Sequence, residues 1–268
     1  MHYAFSSRTD TGRVRTNNED ALLIDEAQRL AILADGMGGY NAGEVAAGMA
    51  VASLGTALGD WLGQAGPDTS PAAVRQAMAA AVSEANQRIL AAAQAHPAYQ
   101  GMGTTLVLAV FRADCLFLGP VGDSRAYRWR NQRLERLTRD HSLLQAQLDA
   151  GLITEAQAAV STQRNLVTRA LGAESQVELE IHEHRVAAGD CYLLCSDGLT
   201  DMLSDEDIAD ILGRQTTGAR RGADLVAAAN AAGGRDNITV LLVEALPGAP
   251  SSAQQANAAK GEPRPCPD

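Results

Sequence analysis

The sequence predicts an α+β chain in which antiparallel sheet carries helices on its outside. Two observations point there. Apolar runs follow one another across turns as short as the two-residue Asn131-Gln132, and connections that short demand antiparallel pairing. Helical stretches come in pairs between blocks of strands, which does not suit a doubly wound parallel sheet. Pattern alone leaves open whether there is one sheet or two.

The polar segment 8–16 leads into Asn17-Asn18-Glu19-Asp20. Residues 21–25 and 30–34 are predicted strands joined by the polar turn Glu26-Ala27-Gln28-Arg29. A Gly-rich loop follows, and then a long helix in which Val45, Met49, Ala52, Leu58 and Leu62 fall near helical spacing. A second helix starts with Ser70 as N-cap and Pro71 in its first turn. Its apolar stripe is Val74, Met78, Ala81, Ala85 and Ile89. Both helices are Ala-rich with few charges, so they are expected to pack together on a sheet face.

Strands are predicted at 104–111, 115–121, 126–129 and 133–137, the last two joined by a hairpin turn at Asn131-Gln132. Ser142 is placed to cap a helix ending at Gly151. The stretch Thr154-Glu155-Ala156-Gln157 resembles a capping box for another. Segment 143–171 is therefore a candidate flap. Strand pattern resumes at 177–186, turns at Gly189-Asp190 and returns at 191–195. One helix follows Ser204 as N-cap, another ends at Gly233, and a last strand runs over 238–246. The domain is expected to span 1–246. From Pro247 onward Pro, Ser, Ala, Gln and Gly dominate without periodicity, so 247–268 is expected to be a disordered tail. No internal repeat is present.

With 268 residues and 46% hydrophobic content the chain can bury a sizeable core. Its formal net charge of −10 argues against nucleic acid or an anionic membrane as a general partner. A phosphate-bearing substrate would then need a local positive site, from metals or a placed Arg. Cys115, Cys191, Cys195 and Cys266 show no Cys-x-x-Cys spacing, and three sit in or beside apolar strands, which reads as a reduced cytoplasmic chain with inert thiols. Residues 1–10 lack the apolar core of a signal peptide, and no apolar run approaches the length needed to span a bilayer.

Aspartates recur beside glycine at strand ends. Apolar runs deliver Asp35-Gly36, Gly122-Asp123 and Asp197-Gly198 into polar turns, and Gly234-Arg235-Asp236-Asn237 precedes the last strand. A single Asp-Gly is most simply a turn. Two carboxylates about 4 Å apart repel by roughly 4 kcal/mol at an effective dielectric near 20. Were Asp35, Asp123, Asp197 and Asp236 to meet, they would protonate or recruit cations. Oxygen-only ligands favour Mg²⁺ or Mn²⁺ over Zn²⁺. A pair of such ions sharing a carboxylate can lower the pKa of a bridging water and orient a phosphoryl oxygen for in-line attack. Other chemistries fail: no Cys is followed six residues later by Arg, there is no P-loop, and Ser196 is not in Gly-x-Ser-x-Gly. His182 and His184 share one strand face without a third ligand nearby and read as a solvated face, and His141 reads as a turn-capping residue. Arg125, Arg128, Arg130, Arg133, Arg136 and Arg139 read as the solvent face of a hairpin, with a docking surface for phosphorylated segments as the alternative.

Arg15-Thr16-Asn17-Asn18-Glu19-Asp20, Asp35-Gly36-Met37-Gly38-Gly39, Gly103-Thr104-Thr105, Gly122-Asp123-Ser124-Arg125, Ser196-Asp197-Gly198 and Gly234-Arg235-Asp236-Asn237 occur in that order. The ordered set resembles the PPM family, the metal-dependent type 2C protein serine/threonine phosphatases, and is similar above all to compact bacterial members. The resemblance implies a four-layer α-β-β-α sandwich: two antiparallel sheets flanked by antiparallel helix pairs, with a small helical flap over 143–171. It implies hydrolysis of phosphoserine and phosphothreonine by a metal-activated water, using two Mn²⁺ or Mg²⁺ ions. Carried over by position, Asp35 would bridge both ions with the Gly36 carbonyl on the first, and Asp197 and Asp236 would bind the second. Glu19 and Asp20 would hold metal-bound waters, Asp20 helping to deprotonate the nucleophile, and Arg15 would grip the phosphate with its planar fork. A third ion, found in bacterial members, would sit on Asp123 and Asp197. Animal members carry a His where this chain has Met37, which cannot donate a proton. The partners implied are phosphorylated proteins and a cognate bacterial Ser/Thr kinase, with no nucleic acid or membrane, for a monomer. A catalytically silent binding module on the same fold, favoured by loss of a metal carboxylate, and a hydrolase of small phosphoesters are the alternatives.

Overall fold

Period-two strands and amphipathic helices sort the chain into four layers. The computed structural model describes residues 1–39, 42–66, 69–159, 161 and 166–247. The chain opens with strands β1 (His2–Asp10), β2 (Asp20–Asp25) and β3 (Leu30–Met37), then helices α1 (Ala42–Gln64) and α2 (Pro71–Ala95). Strands β4 (Gly103–Thr104), β5 (Leu106–Arg112), β6 (Cys115–Val121), β7 (Arg125–Arg130) and β8 (Arg133–Arg136) follow, and then the short helices α3 (Leu143–Asp149) and α4 (Glu155–Ala159). The second half holds β9 (His182–Arg185), β10 (Cys191–Cys195), α5 (Asp197–Thr200), α6 (Asp205–Leu212), α7 (Gly218–Ala231) and β11 (Ile238–Leu246).

One sheet has the order β1-β11-β10-β7-β8 and the other β2-β3-β5-β6-β9, with β4 paired to β3. Every ladder is antiparallel. Alternation assigns the faces. In β3, Leu30, Ile32 and Ala34 join the core under α1 and α2, whereas Ala31 and Leu33 join the core between the sheets. In β10, Tyr192 and Leu194 face the other sheet, and Cys191, Leu193 and Cys195 pack with Ile208, Leu212 and Leu225 of α6 and α7. The predicted sandwich with outer helix pairs is what forms.

Local signals decide several boundaries. Ser70 caps α2 by accepting from Ala73 N, and Ser142 caps α3 by accepting from Gln145 N. Thr154 and Gln157 form their predicted reciprocal box, with Gln157 Oε1 accepting from Thr154 N at 2.8 Å. Asn131 and Gln132 both take positive φ, 51° and 60°, the type I′ geometry that joins β7 to β8.

Other expectations need correction. β1 is not among the predicted strands: its end, Arg8 to Asp10, falls in the polar segment 8–16, and β11 supplies a partner for the whole run. The strand expected at 30–34 runs on to Met37, since Asp35 pairs with Asp20 and Gly36 with Thr104. Of the strand expected at 177–186 only β9 has a ladder; Val177, Leu179 and Ile181 pack as side chains against the α1–α2 core instead. The arginines are not simply solvated. Arg125 and Arg136 both reach Asp140, Arg139 reaches Asp149, and Arg130 donates twice to Asp190, whose side chain is 1% exposed. A carboxylate that deep is stable only when paired. Among the described residues α1 passes for a membrane-spanning helix by length and mean hydropathy (1.3). Its Ala46, Ala50, Leu54 and Leu58 are instead buried against β3 and α2. The expected tail lies outside the described residues apart from Pro247, as does Cys266.

Candidate metal centre

The cavity is built where strands from both sheets end. Register places Asp20 directly opposite Asp35 on the β2–β3 ladder. The Asp35 backbone is held by Thr105: Asp35 N donates to Thr105 Oγ1 at 3.0 Å, and Thr105 N donates to Asp35 O at 2.8 Å. Gly36 lets the start of α1 close onto β3, for a Cβ there would lie 2.1 Å from the Gly43 carbonyl oxygen. Asp123 follows Gly122, whose φ of +99° turns the chain sharply. His141 locks that turn: its Nδ1 accepts from Gly122 N at 3.1 Å while its own N–H donates to Gly122 O at 2.8 Å. His141 therefore has the structural role expected of it.

Asp197 opens α5 rather than a plain turn, and the absence of a side chain on Gly198 lets Asn237 approach, where a Cβ would meet its carbonyl oxygen at 2.0 Å. Asp236 precedes β11 and takes a hydrogen bond from Arg15 Nη2 at 2.7 Å. Arg15, Glu19, Asp35, Gly36, Asp123, Asp197 and Asp236 all line one cavity of about 260 Å³, with Met37 and Asn237. Asp20 stands behind that wall, its Oδ2 accepting from Ser196 Oγ at 2.9 Å and its buried Oδ1 without a partner among the described residues.

The electrostatics follow from burying acids together. Burial, then the charges of Asp20, Asp197, Asp123 and Asp236, pushes the Asp35 carboxyl well above the usual carboxylate range. Burial likewise raises Asp197, reinforced by Asp123, Asp201 and Asp236. Asp20 is pushed up to about 6 by burial, against the stabilising hydroxyls of Thr239 and Ser196. Asp123 also reaches about 6, through burial and then Asp140. Five carboxylates on the cavity wall face the single guanidinium of Arg15, an excess of acid that bound cations would offset. Among the described residues no three acids close into a ready ligand cluster. The donor set is oxygen throughout, and the free Asp20 Oδ1 is a buried acceptor waiting for a proton or cation. These residues fit a hard divalent ion.

A second cavity of about 280 Å³ shares Asp123 and Asp197 and is walled by Leu144 and Leu148 of α3, Glu155 of α4, and Asp140 and Asp201. The described helices of the expected flap thus border the site. Sequence reasoning had passed over Asn237, Thr105, Ser196, Thr239 and Asp201. The first three stand inside or beside the quoted motifs, so position next to an acid was the available signal. His182 and His184 lie with ring centroids 6.5 Å apart on β9.

A two-sheet sandwich thus gathers acids and one arginine from its strand ends around one hydrophilic cavity. The family model described as protein phosphatase 2C matches residues 11–231, and the chain belongs to that family. It is similar to the serine/threonine phosphatase stp of Listeria monocytogenes, 38% identical over 247 residues, which are 91% of this chain and 96% of that protein. The crystal structure of the Mycobacterium tuberculosis serine/threonine phosphatase PstP/Ppp superposes with a TM-score of 0.84 at 37% identity, covering 92% of this chain and all of the other (100%). The catalytic domain of serine/threonine protein phosphatase PstP, solved in complex with two manganese ions, superposes at 0.80 with 36% identity over 91% of this chain and 99% of that one. The predicted family and fold are borne out.

Proposed function

We propose that this chain hydrolyses phosphoserine and phosphothreonine on proteins, with Asp35, Gly36, Asp197 and Asp236 holding two Mn²⁺ or Mg²⁺ ions, and Asp123 with Asp197 a third. The observation that carries this reading is the gathering of seven predicted site residues on one cavity wall, Arg15 and six that offer oxygen to a metal. When bound, such ions supply the positive charge that lowers the pKa of water and neutralises phosphoryl oxygens. The chain's own groups do the rest. Arg15, half exposed at the cavity mouth, presents a planar fork to two phosphate oxygens. Glu19 and Asp20 orient the attacking water, and Asp20 accepts its proton as the water oxygen bonds to phosphorus and the bond to the serine or threonine oxygen breaks. Met37, on the cavity wall, has no proton to give, so the leaving oxygen is protonated by another group.

Residues 1–246 form the catalytic domain, and the flap of 143–171 controls access from the Asp123 side. The physiological role is reversal of a bacterial Ser/Thr kinase by a cytoplasmic monomer, in keeping with the net charge of −10, which disfavours nucleic acid and anionic membranes. The silent binding module has no support, since no metal carboxylate is missing. Asp35→Asn and Asp197→Asn should each lower p-nitrophenyl phosphate hydrolysis in excess Mn²⁺ by about 10³-fold, the scale of several kcal/mol of lost transition-state charge stabilisation. Retained activity in either variant contradicts the assignment. Faster turnover of metabolite phosphates than of a kinase-modified protein would assign small phosphoesters as substrates.

A further inference from the structure

The loop of residues 11–19, which carries Arg15 and Glu19 from β1 to β2, has no ladder of its own. It is tied at both ends to one buried side chain. Asn237 Nδ2 donates to the Thr11 carbonyl at 3.0 Å and to the Asn17 carbonyl at 2.8 Å, while its Oδ1 accepts from Glu19 N at 2.8 Å. Both amide protons are spent on this one loop, and only 5% of Asn237 is exposed. Two further ties run to the same side of the molecule: Arg13 N donates to Gly234 O at 2.7 Å, and Gly12 N donates to Asp10 Oδ1, which also accepts from Asn230. Between the two clamped ends, Arg15 reaches the cavity on a long, half-exposed side chain whose Nη2 donates to Asp236 at 2.7 Å. Asp236 aims the guanidinium, and the backbone that Asn237 holds sets where that side chain starts.

We propose that Asn237 is a positioning residue for phosphate binding: it holds the 11–19 loop against the start of β11 so that the Arg15 guanidinium meets the substrate phosphate. The proposal rests on Arg15 being the phosphate-binding residue. Asn237 itself need not touch substrate. A side chain that only stabilised the fold would change melting, not the energetic coupling to Arg15.

The test is a double-mutant cycle on the full chain in saturating Mn²⁺, reading KM for p-nitrophenyl phosphate, kcat, and the inhibition constant of inorganic phosphate. Arg15→Ala should raise KM and the inhibition constant by at least about 10-fold, the cost of losing one charge-assisted contact. Asn237→Ala should raise both to a similar extent, more than it lowers kcat, and the double variant should bind phosphate no more weakly than Arg15→Ala alone. Effects that multiply overturn the proposal, as does an unchanged inhibition constant in Asn237→Ala. If Arg15→Ala leaves phosphate affinity intact, the Arg15 reading itself falls and the proposal with it. Should Asn237→Ala not fold, Asn237→Asp serves: it is matched in volume and keeps the acceptor for the Glu19 amide. Its added charge acts in both Arg15 backgrounds, so a smaller effect on the inhibition constant in the Arg15→Ala background than in the wild type reads the brace, and equal effects in the two backgrounds overturn it.

Discussion

Gly36 shows how tightly the cavity floor is assembled. A Cβ at this position would lie 2.1 Å from the Gly43 carbonyl oxygen and 2.7 Å from that of Glu19, both backbone, and retreat of Gly43 would part α1 from β3. Overpacking of this kind costs about 1–3 kcal/mol, occasionally more. Gly36→Ala is therefore expected to lower the melting temperature by several degrees and to reduce Mn²⁺-dependent activity together, because Asp35 sits on the same strand. Unchanged melting and activity would mean that the helix slides at no cost. The Asp35-Gly36 pair was legible in the sequence as a turn or a ligand. The partner that forbids a side chain, Gly43, was not, since nothing in a string of residues reveals which backbones touch. Asn237 was hidden in the same way: it was quoted as a neighbour of Asp236, and its bonds to Thr11, Asn17 and Glu19 appear only once the two ends of the chain meet.

Among elements, the β7–β8 hairpin carries a local strain that can be relieved. Gln132 sits at φ 60° without being glycine, in a turn type that favours glycine at this position. Gln132→Gly should stabilise the protein by about 0.5–1 kcal/mol after the entropic cost of glycine. In a chain of this size that is a rise of about 1–4 °C in melting temperature; a fall would show that the Gln132 side chain contributes contacts of its own. The hairpin was legible because Asn131-Gln132 separates two strand-like runs. Strands β6, β10 and β11 were legible end to end, because their apolar runs are flanked by turn residues. The misses share a cause. β1 contains a polar half, Ser6 to Asp10, that becomes strand only through its full register with β11. The 177–181 segment alternates like a strand yet has no ladder partner, so periodicity reported its packing face and not its hydrogen bonding. Asp35 was read as lying just past a strand because its type suggested a turn, although its backbone pairs with Asp20.

At the scale of the molecule, the buried acids tie stability to pH and to metal. In the metal-free protein burial pushes Asp20 and Asp123 up to about 6, and Asp35 and Asp197 well above the usual carboxylate range, against about 3.9 in the unfolded chain. The native state then binds more protons than the unfolded state above about pH 4, so these groups withdraw stability as pH rises from there through about 6. His141 and His184, lowered by burial, act oppositely below about 6.5. The comparison that isolates the acids is wild type against Asp197→Asn in chelator. The variant should melt progressively higher than wild type as pH rises from 5 to 8, and Mn²⁺ should raise the wild-type melting temperature more at pH 8 than at pH 5. A variant that melts lower throughout would place Asp197 in a favourable environment instead.

The pairing of β1 with β11, residue for residue from His2–Leu246 to Asp10–Ile238, has a consequence for timing. A nascent chain leaving the ribosome presents Arg15, Glu19, Asp20 and Asp35 well before Asp236 and the strand that follows it. Until β11 has emerged and zipped against β1, the two halves of the site cannot come together.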